Sequence, residues 1–285
     1  MSNITIIIKT FQRLKSLECL LKSIEDQKLN NIPIIILDDS RENYKDAILE
    51  KFSKLNINYI VTEFDIGLSK GRNILLEHVK TDYIILCDDD FEFDSRTNIS
   101  KGLLLLKEYN LDILGGSVYE RVELNSIFSV LHLLKHPKYF IDLLNGKETN
   151  KVYNGFIEIT SHKVLVKSES NGKLFLEKDI YQCDFVNNFF IAKTDSIKKL
   201  NGWQPEYIKL AEHMLFFIRC KQHFLSVAYT HHLGVKHHPY KSLEYSKYRL
   251  RALWMRELAF KFLNLNIFEH YDMNKNLLYK YESKE

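Results

Sequence analysis

The chain has 285 residues, 45% of them hydrophobic, which is enough to bury a sizeable core and too apolar for a disordered segment. Its 40 basic and 37 acidic residues leave a formal charge of only +3, so whole-chain electrostatics do not mark a nucleic-acid binder. Cys19, Cys87, Cys183 and Cys220 lie far apart and form no CxxC pair, which argues against a disulfide framework or a thiolate zinc site and points to a reducing, cytoplasmic compartment.

The first eleven residues hold an apolar run with no basic leader and no small-residue cleavage site, and read as a strand over residues 4–9. Leu14, Leu17, Leu21 and Ile24 follow at helical spacing, then a second apolar run at 32–37. Tyr44, Ile48, Phe52 and Leu55 share one face of the next helix, and residues 57–61 make a third strand. A helix around 69–79 and a strand at 83–87 repeat the unit. Short apolar strands alternating with amphipathic helices predict an α/β fold, a mainly parallel sheet flanked by helices.

Beyond residue 110 the alternation loosens. A strand is expected at 112–118, a long amphipathic stretch at 124–144, β structure at 151–167, and a strand at 189–192 leading into a helix at 195–200 that Asn201 and Gly202 stop. The tail, 236–284, is aromatic and basic and reads as helical. It could pack on its own domain, cover the site as a lid, or touch an anionic membrane surface peripherally. No stretch approaches the roughly 18 uninterrupted apolar residues that a membrane span requires.

In a parallel sheet the ligand crevice lies beyond the carboxyl ends of the strands. Three polar clusters fall there: residues 10–13, 38–41 and 88–90. Asp88, Asp89 and Asp90 are adjacent carboxylates that repel one another unless a cation or solvent compensates, and hard oxygen ligands suit Mn²⁺ or Mg²⁺. An acidic turn capping the next helix is the bland alternative.

Asp38-Asp39-Ser40, Gly67-Leu68-Ser69-Lys70-Gly71-Arg72-Asn73 and Leu86-Cys87-Asp88-Asp89-Asp90, with Lys9-Thr10-Phe11 before them, occur in the order seen in family 2-like glycosyltransferases of the GT-A fold, which the first half resembles. The resemblance implies a UDP-sugar donor, with Asp39 accepting a hydrogen bond from uracil and Thr10 and Phe11 walling the base pocket. Arg72 would sit near the diphosphate, with Arg13, Lys70, Asp88 and Asp89 as further donor contacts. With few Gly or Pro, no repeats and no low-complexity linker, the chain reads as one continuous unit in three parts: a nucleotide-sugar-binding half (1–120), an acceptor-binding and catalytic half (121–240) and a helical tail (241–285).

The series from Asp184 to Asp195, then Gly202-Trp203 and Ala211-Glu212-His213-Met214-Leu215-Phe216-Phe217, resembles the acceptor side of GT-A enzymes that transfer N-acetylgalactosamine. Asn188 and Trp203 would contact the acceptor, a carbohydrate or glycolipid. Inverting transfer needs one group to take the acceptor's proton, and Glu212 is the candidate base ahead of His213. Many family 2 enzymes have Glu-Asp where this chain has Glu212-His213. Val235-Lys236-His237 resembles the late histidine that completes the metal site beside Asp88 and Asp90, so His237 is preferred to His238. A sugar nucleotidyltransferase is the alternative enzyme, though residues 10–13 carry none of the glycine its phosphate loop would need. No GxGxxG follows the first strand, which disfavours a dinucleotide oxidoreductase. A non-catalytic nucleotide-sugar-binding protein is a third reading.

Overall fold

The computed structural model describes residues 3–121, 146–151, 153–169, 175–177, 180–238 and 243–283. The first half runs β1 (Ile4–Thr10), α1 (Leu14–Asp26), β2 (Ile34–Asp38), α2 (Lys45–Lys51), β3 (Ile57–Val61), α3 (Leu68–His78), β4 (Tyr83–Asp88), β5 (Phe91–Glu92), α4 (Ile99–Glu108) and β6 (Ile113–Arg121). The second half adds β7 (Glu148–Asn150), β8 (Asn154–Ile159), β9 (Lys163–Glu169), β10 (Phe175–Glu177), β11 (Ile180–Cys183), β12 (Phe190–Lys193), α5 (Thr194–Lys199), α6 (Glu212–Gln222) and β13 (Val227–His237). The tail contributes α7 (Leu243–Arg249), α8 (Ala252–Phe262), β14 (Ile267–Tyr271) and β15 (Leu277–Glu282).

The main sheet has the order β10-β11-β13-β6-β12-β4-β1-β2-β3, with β5 on β13 and β7 on β6. β3, β2, β1 and β4 are mutually parallel, as the strand and helix alternation predicts. β12 then enters antiparallel between β4 and β6. Every residue of β1 is buried, because helices cover both faces: Ile4, Ile6 and Ile8 pack with α1, and Ile7 packs on the other side with Leu37, Leu75 and Leu86. A strand covered on both sides reads as an unbroken apolar run.

The tail departs from its helical reading. After α8 it forms the hairpin β14-β15, and β14 lies parallel to β9, completing a second sheet of order β15-β14-β9-β8. Asp272 caps the hairpin turn, its carboxylate accepting from the backbone N–H groups of Asn274 (2.8 Å) and Asn276 (2.7 Å). The amphipathic stretch expected at 124–144 lies outside the described residues. Among the described residues no helix is long and apolar enough to cross a membrane.

Gly115, in central β6, admits no side chain: a Cβ there would stand 2.4 Å from the Cβ of Val186. Gly115→Ala should therefore lower the unfolding free energy by about 1–3 kcal/mol, read by chemical denaturation, as expected for overpacking a filled core.

Candidate active site

Beyond the carboxyl ends of β1 and β4 the chain encloses a cavity of about 470 Å³. Its lining includes Arg13, Arg72, Asp88, Asp90, Asn188, Glu212, His213 and His237, so most of the residues singled out from sequence meet there. A narrower pocket adjoins it, lined by Lys9, Thr10, Phe11, Arg13, Asp39 and Gly67.

The three adjacent carboxylates part company. Asp88 accepts from Arg72 (2.9 Å) and from the Asn188 amide (3.2 Å). Asp89 is fully buried and takes the Thr10 hydroxyl (2.7 Å) and the Arg13 guanidinium; burial pushes its carboxyl up to about 7, against the pull of Arg13. Asp90 pairs with Arg13 (2.6 Å) and faces Nε2 of His237 at 3.3 Å. Burial works to raise Asp90, but His237 and Arg13 outweigh it and hold the carboxyl below its ordinary range.

His237 has a carboxylate on each side, with Nδ1 2.5 Å from Glu120. Burial opposes its charge, yet Asp90 and Glu120 prevail and raise its pKa. A carboxylate behind one ring nitrogen fixes the imidazole and leaves the other facing Asp90, which is how histidine ligands are commonly oriented. Among the described residues no three acidic, histidine or cysteine groups already converge at ligating distance, since guanidinium groups hold Asp88 and Asp90. Two carboxylates and an imidazole bordering one cavity are nonetheless a donor set of the right chemistry for Mn²⁺ or Mg²⁺, which leave several positions to water and phosphate. His238 turns away to Glu92 (2.6 Å).

Arg72 is 1% exposed and bridges Asp88 to Glu212, whose Oε1 lies 2.5 Å from Nη1. Glu212 opens α6 directly after Ala211, which adopts the left-handed conformation (φ 64°) uncommon for a residue with a Cβ. That turn brings both Glu212 and His213 to the cavity wall. His213 bonds through Nδ1 to the Asn188 side chain, and burial, reinforced by the charge of Arg72, pushes its pKa down to about 3. The imidazole is therefore neutral at physiological pH and too weak a base to take a hydroxyl proton readily.

In the narrow pocket, the buried Asp39 carboxylate is held by Lys9 and by the Gly67 N–H (3.1 Å). Burial raises the Asp39 pKa and lowers that of Lys9, each against the attraction of the other. Gly67 has φ 93°, and a Cβ would sit 2.6 Å from the Cα of Lys209, so only glycine fits this turn.

Three expected contacts are not brought into the site. Lys70 is exposed on α3 and borders neither cavity, because the helical turn that buries Ser69 and Gly71 places it on the solvent side. Asp89 is sealed beneath Thr10 and Arg13, holds both groups and borders neither cavity. Trp203 is a core residue, stacked on Phe216 at 4.8 Å with Arg72 above it.

Sequence reading does not single out what each residue of the tail contributes. Tyr248 of α7 packs edge-on against Phe11 (5.0 Å) and touches Phe64, Tyr245 lies 4.3 Å under the Arg13 guanidinium, and Arg249 lines both cavities. Arg251 grips Asp65 with both ends of its fork (2.6 and 2.9 Å), and Lys209 joins them (3.0 Å). In the structure the tail packs on its own domain, with α7 beside the cavities. Its interleaved tyrosines and arginines are the signal.

The family model for Glycosyl transferase family 2 matches residues 5–167. Beta-1,4 N-acetylgalactosaminyltransferase 1 of Rattus norvegicus is 28% identical over 215 residues, covering 75% of this chain and 35% of that protein. Beta-1,4 N-acetylgalactosaminyltransferase 2 of Mus musculus is 36% identical over 115 residues, 40% of this chain and 21% of its own. The chain thus spans about a third or less of the length of these curated relatives. In fold it is similar to S. aureus TarS 1–349 crystallised with UDP-GlcNAc, at TM-score 0.58 and 15% identity over 86% of this chain and 60% of that one. The same TarS segment with UDP gives TM-score 0.55 and 17% identity over 82% and 60%. The architecture is of the GT-A type, and with more than half of its residues matched by the family model, the chain belongs to glycosyl transferase family 2.

Proposed function

We propose that the chain is an inverting, metal-dependent transferase that moves a sugar, N-acetylgalactosamine by preference, from a UDP-sugar to a carbohydrate acceptor in surface polysaccharide or glycan synthesis. The observation that carries this reading is the convergence of Asp88, Asp90, His237, Arg72 and Glu212 on one cavity beside the Asp39 pocket. The relatives' names support the donor sugar, and the UDP and UDP-GlcNAc complexes of TarS support the nucleotide.

In this reading uracil enters the narrow pocket, with Phe11 against its face and Asp39 accepting from the ring. About 30 Å³ is left there beneath Tyr248, room for a water or two and not for a pyrimidine, so α7 has to give way. Arg249 borders both cavities and forms no ion pair with a described carboxylate, which leaves its guanidinium available to the diphosphate. Asp88, Asp90 and His237 would hold Mn²⁺ or Mg²⁺, and such an ion supplies Lewis-acid stabilisation of the charge on a departing nucleoside diphosphate. Glu212 takes the proton from the acceptor hydroxyl, while Arg72 holds its carboxylate in place. Neutral His213 and Asn188 orient the sugar hydroxyls.

Asp90→Ala should abolish the stimulation of UDP-sugar binding and hydrolysis by Mn²⁺, and chelation should do the same to the unaltered protein; metal-independent turnover would refute the assignment. Glu212→Gln should retain UDP binding by calorimetry and lose transfer by on the order of 10²-fold or more, the usual contribution of a general base. Undiminished transfer by that variant would remove Glu212 from the role.

A further inference from the structure

A second cavity of about 130 Å³ opens from the main one on the side of the second sheet, and Tyr153, Ala211, His213 and Arg256 border both. Its further wall is aromatic, from Phe260, Phe268 and Tyr279. Such surfaces suit the apolar face of a sugar ring. What sets this cavity apart is its charge.

In the main cavity Lys9, Arg13, Arg72 and Lys151 are each matched by a carboxylate. Arg249 and Arg256 are not, neither forming an ion pair with a described carboxylate; Arg249 also borders the narrow pocket, whereas Arg256 borders the second cavity, which no described Asp or Glu lines. The Arg256 guanidinium lies 5.3 Å from the centre of the Tyr279 ring, a cation over an aromatic face that steadies it without neutralising it. The uncompensated charge is felt by its neighbours, since burial first and Arg256 second depress the pKa of His270 across the cavity. A planar fork of donors at the junction of two cavities, with no described protein anion to satisfy it, is a recognition element for an external one.

We propose that this side cavity is an acceptor subsite for an acidic sugar, in which Arg256 pairs with the carboxylate or phosphate of the acceptor. The subsite rests on the transferase reading above and names the acceptor's chemical class. His213 borders both cavities, and Glu212, the residue before it, lines the main one.

The test uses the full chain with UDP and Mn²⁺ at saturation, and follows binding of methyl glucoside, methyl glucuronoside and glucose 6-phosphate by ligand-detected NMR. At least one acidic probe should bind about fivefold or more tighter than the neutral one, the scale of a partly exposed ion pair, and the preference should shrink as salt is raised. Preference for the glucuronoside alone assigns a carboxylate, and for the phosphate alone a phosphate ester. In Arg256→Gln the preference should fall to near unity, and in Arg256→Lys it should survive in part. Equal binding of all three probes by the unaltered protein, or a preference that persists in Arg256→Gln, overturns the subsite. Failure to bind UDP at all overturns the transferase reading and the subsite together.

Discussion

A guanidinium buried as deeply as Arg72 is stable only among anions, and here both anions are residues of the cavity wall. Asp88 ends β4 in the first half and Glu212 begins α6 in the second, far along the chain. Arg72, on α3, ties them together across the crevice. Removing the cation would leave Asp88 and Glu212 close with no compensating charge, whereas replacing either acid would leave Arg72 paired with the other and untie the two halves of the site. The same contact that closes the fold thus fixes the separation between the group assigned to the metal and the group assigned to the acceptor proton.

The first half is legible in the sequence because its physics is local. β1 to β4 are apolar runs, and the polar residues at their carboxyl ends have to collect on one rim, where Asp39, Asp88 and Asp90 do lie. Sequence alone does not say which of three consecutive aspartates faces inward. The turn after β4 decides that, sending Asp89 beneath Thr10 and leaving its neighbours at the cavity. Lys70 and Trp203 depart from expectation for a related reason: proximity along the chain to Arg72 and to the acceptor series says nothing about which face of the helix or loop is buried.

The tail is harder to read because its composition is shared by helices and strands. Tyr, Phe and Lys at residues 267–282 serve equally in a hairpin, and the decisive signal is the short Asp272–Asn276 turn, whose side chain bonds its own backbone. Pairing with β9 is a long-range contact that no local pattern announces. The alternation around β9 marks β structure, but it carries no trace of a partner so distant in the chain.

The anchoring of the tail also constrains how the site can open. Arg251 is fastened to Asp65, which the turn at Gly67 holds beside the Asp39 pocket, and α8 beyond it is packed through Met255 and Ala259 on Ile208 and Leu215. Among the described residues α7 has no such buried apolar anchor; it meets the site through the rings of Tyr245 and Tyr248, on Arg13 and Phe11. Displacing those rings costs aromatic contacts worth about 1 kcal/mol each, far less than unpacking α8. Leu250, between α7 and the anchored Arg251, is therefore the natural pivot, and in the proposed reading a nucleotide that lifts α7 would leave Arg256 where it is. In the proposed reading, donor entry and the charge at the acceptor side are in this way mechanically separate, although one continuous segment carries both.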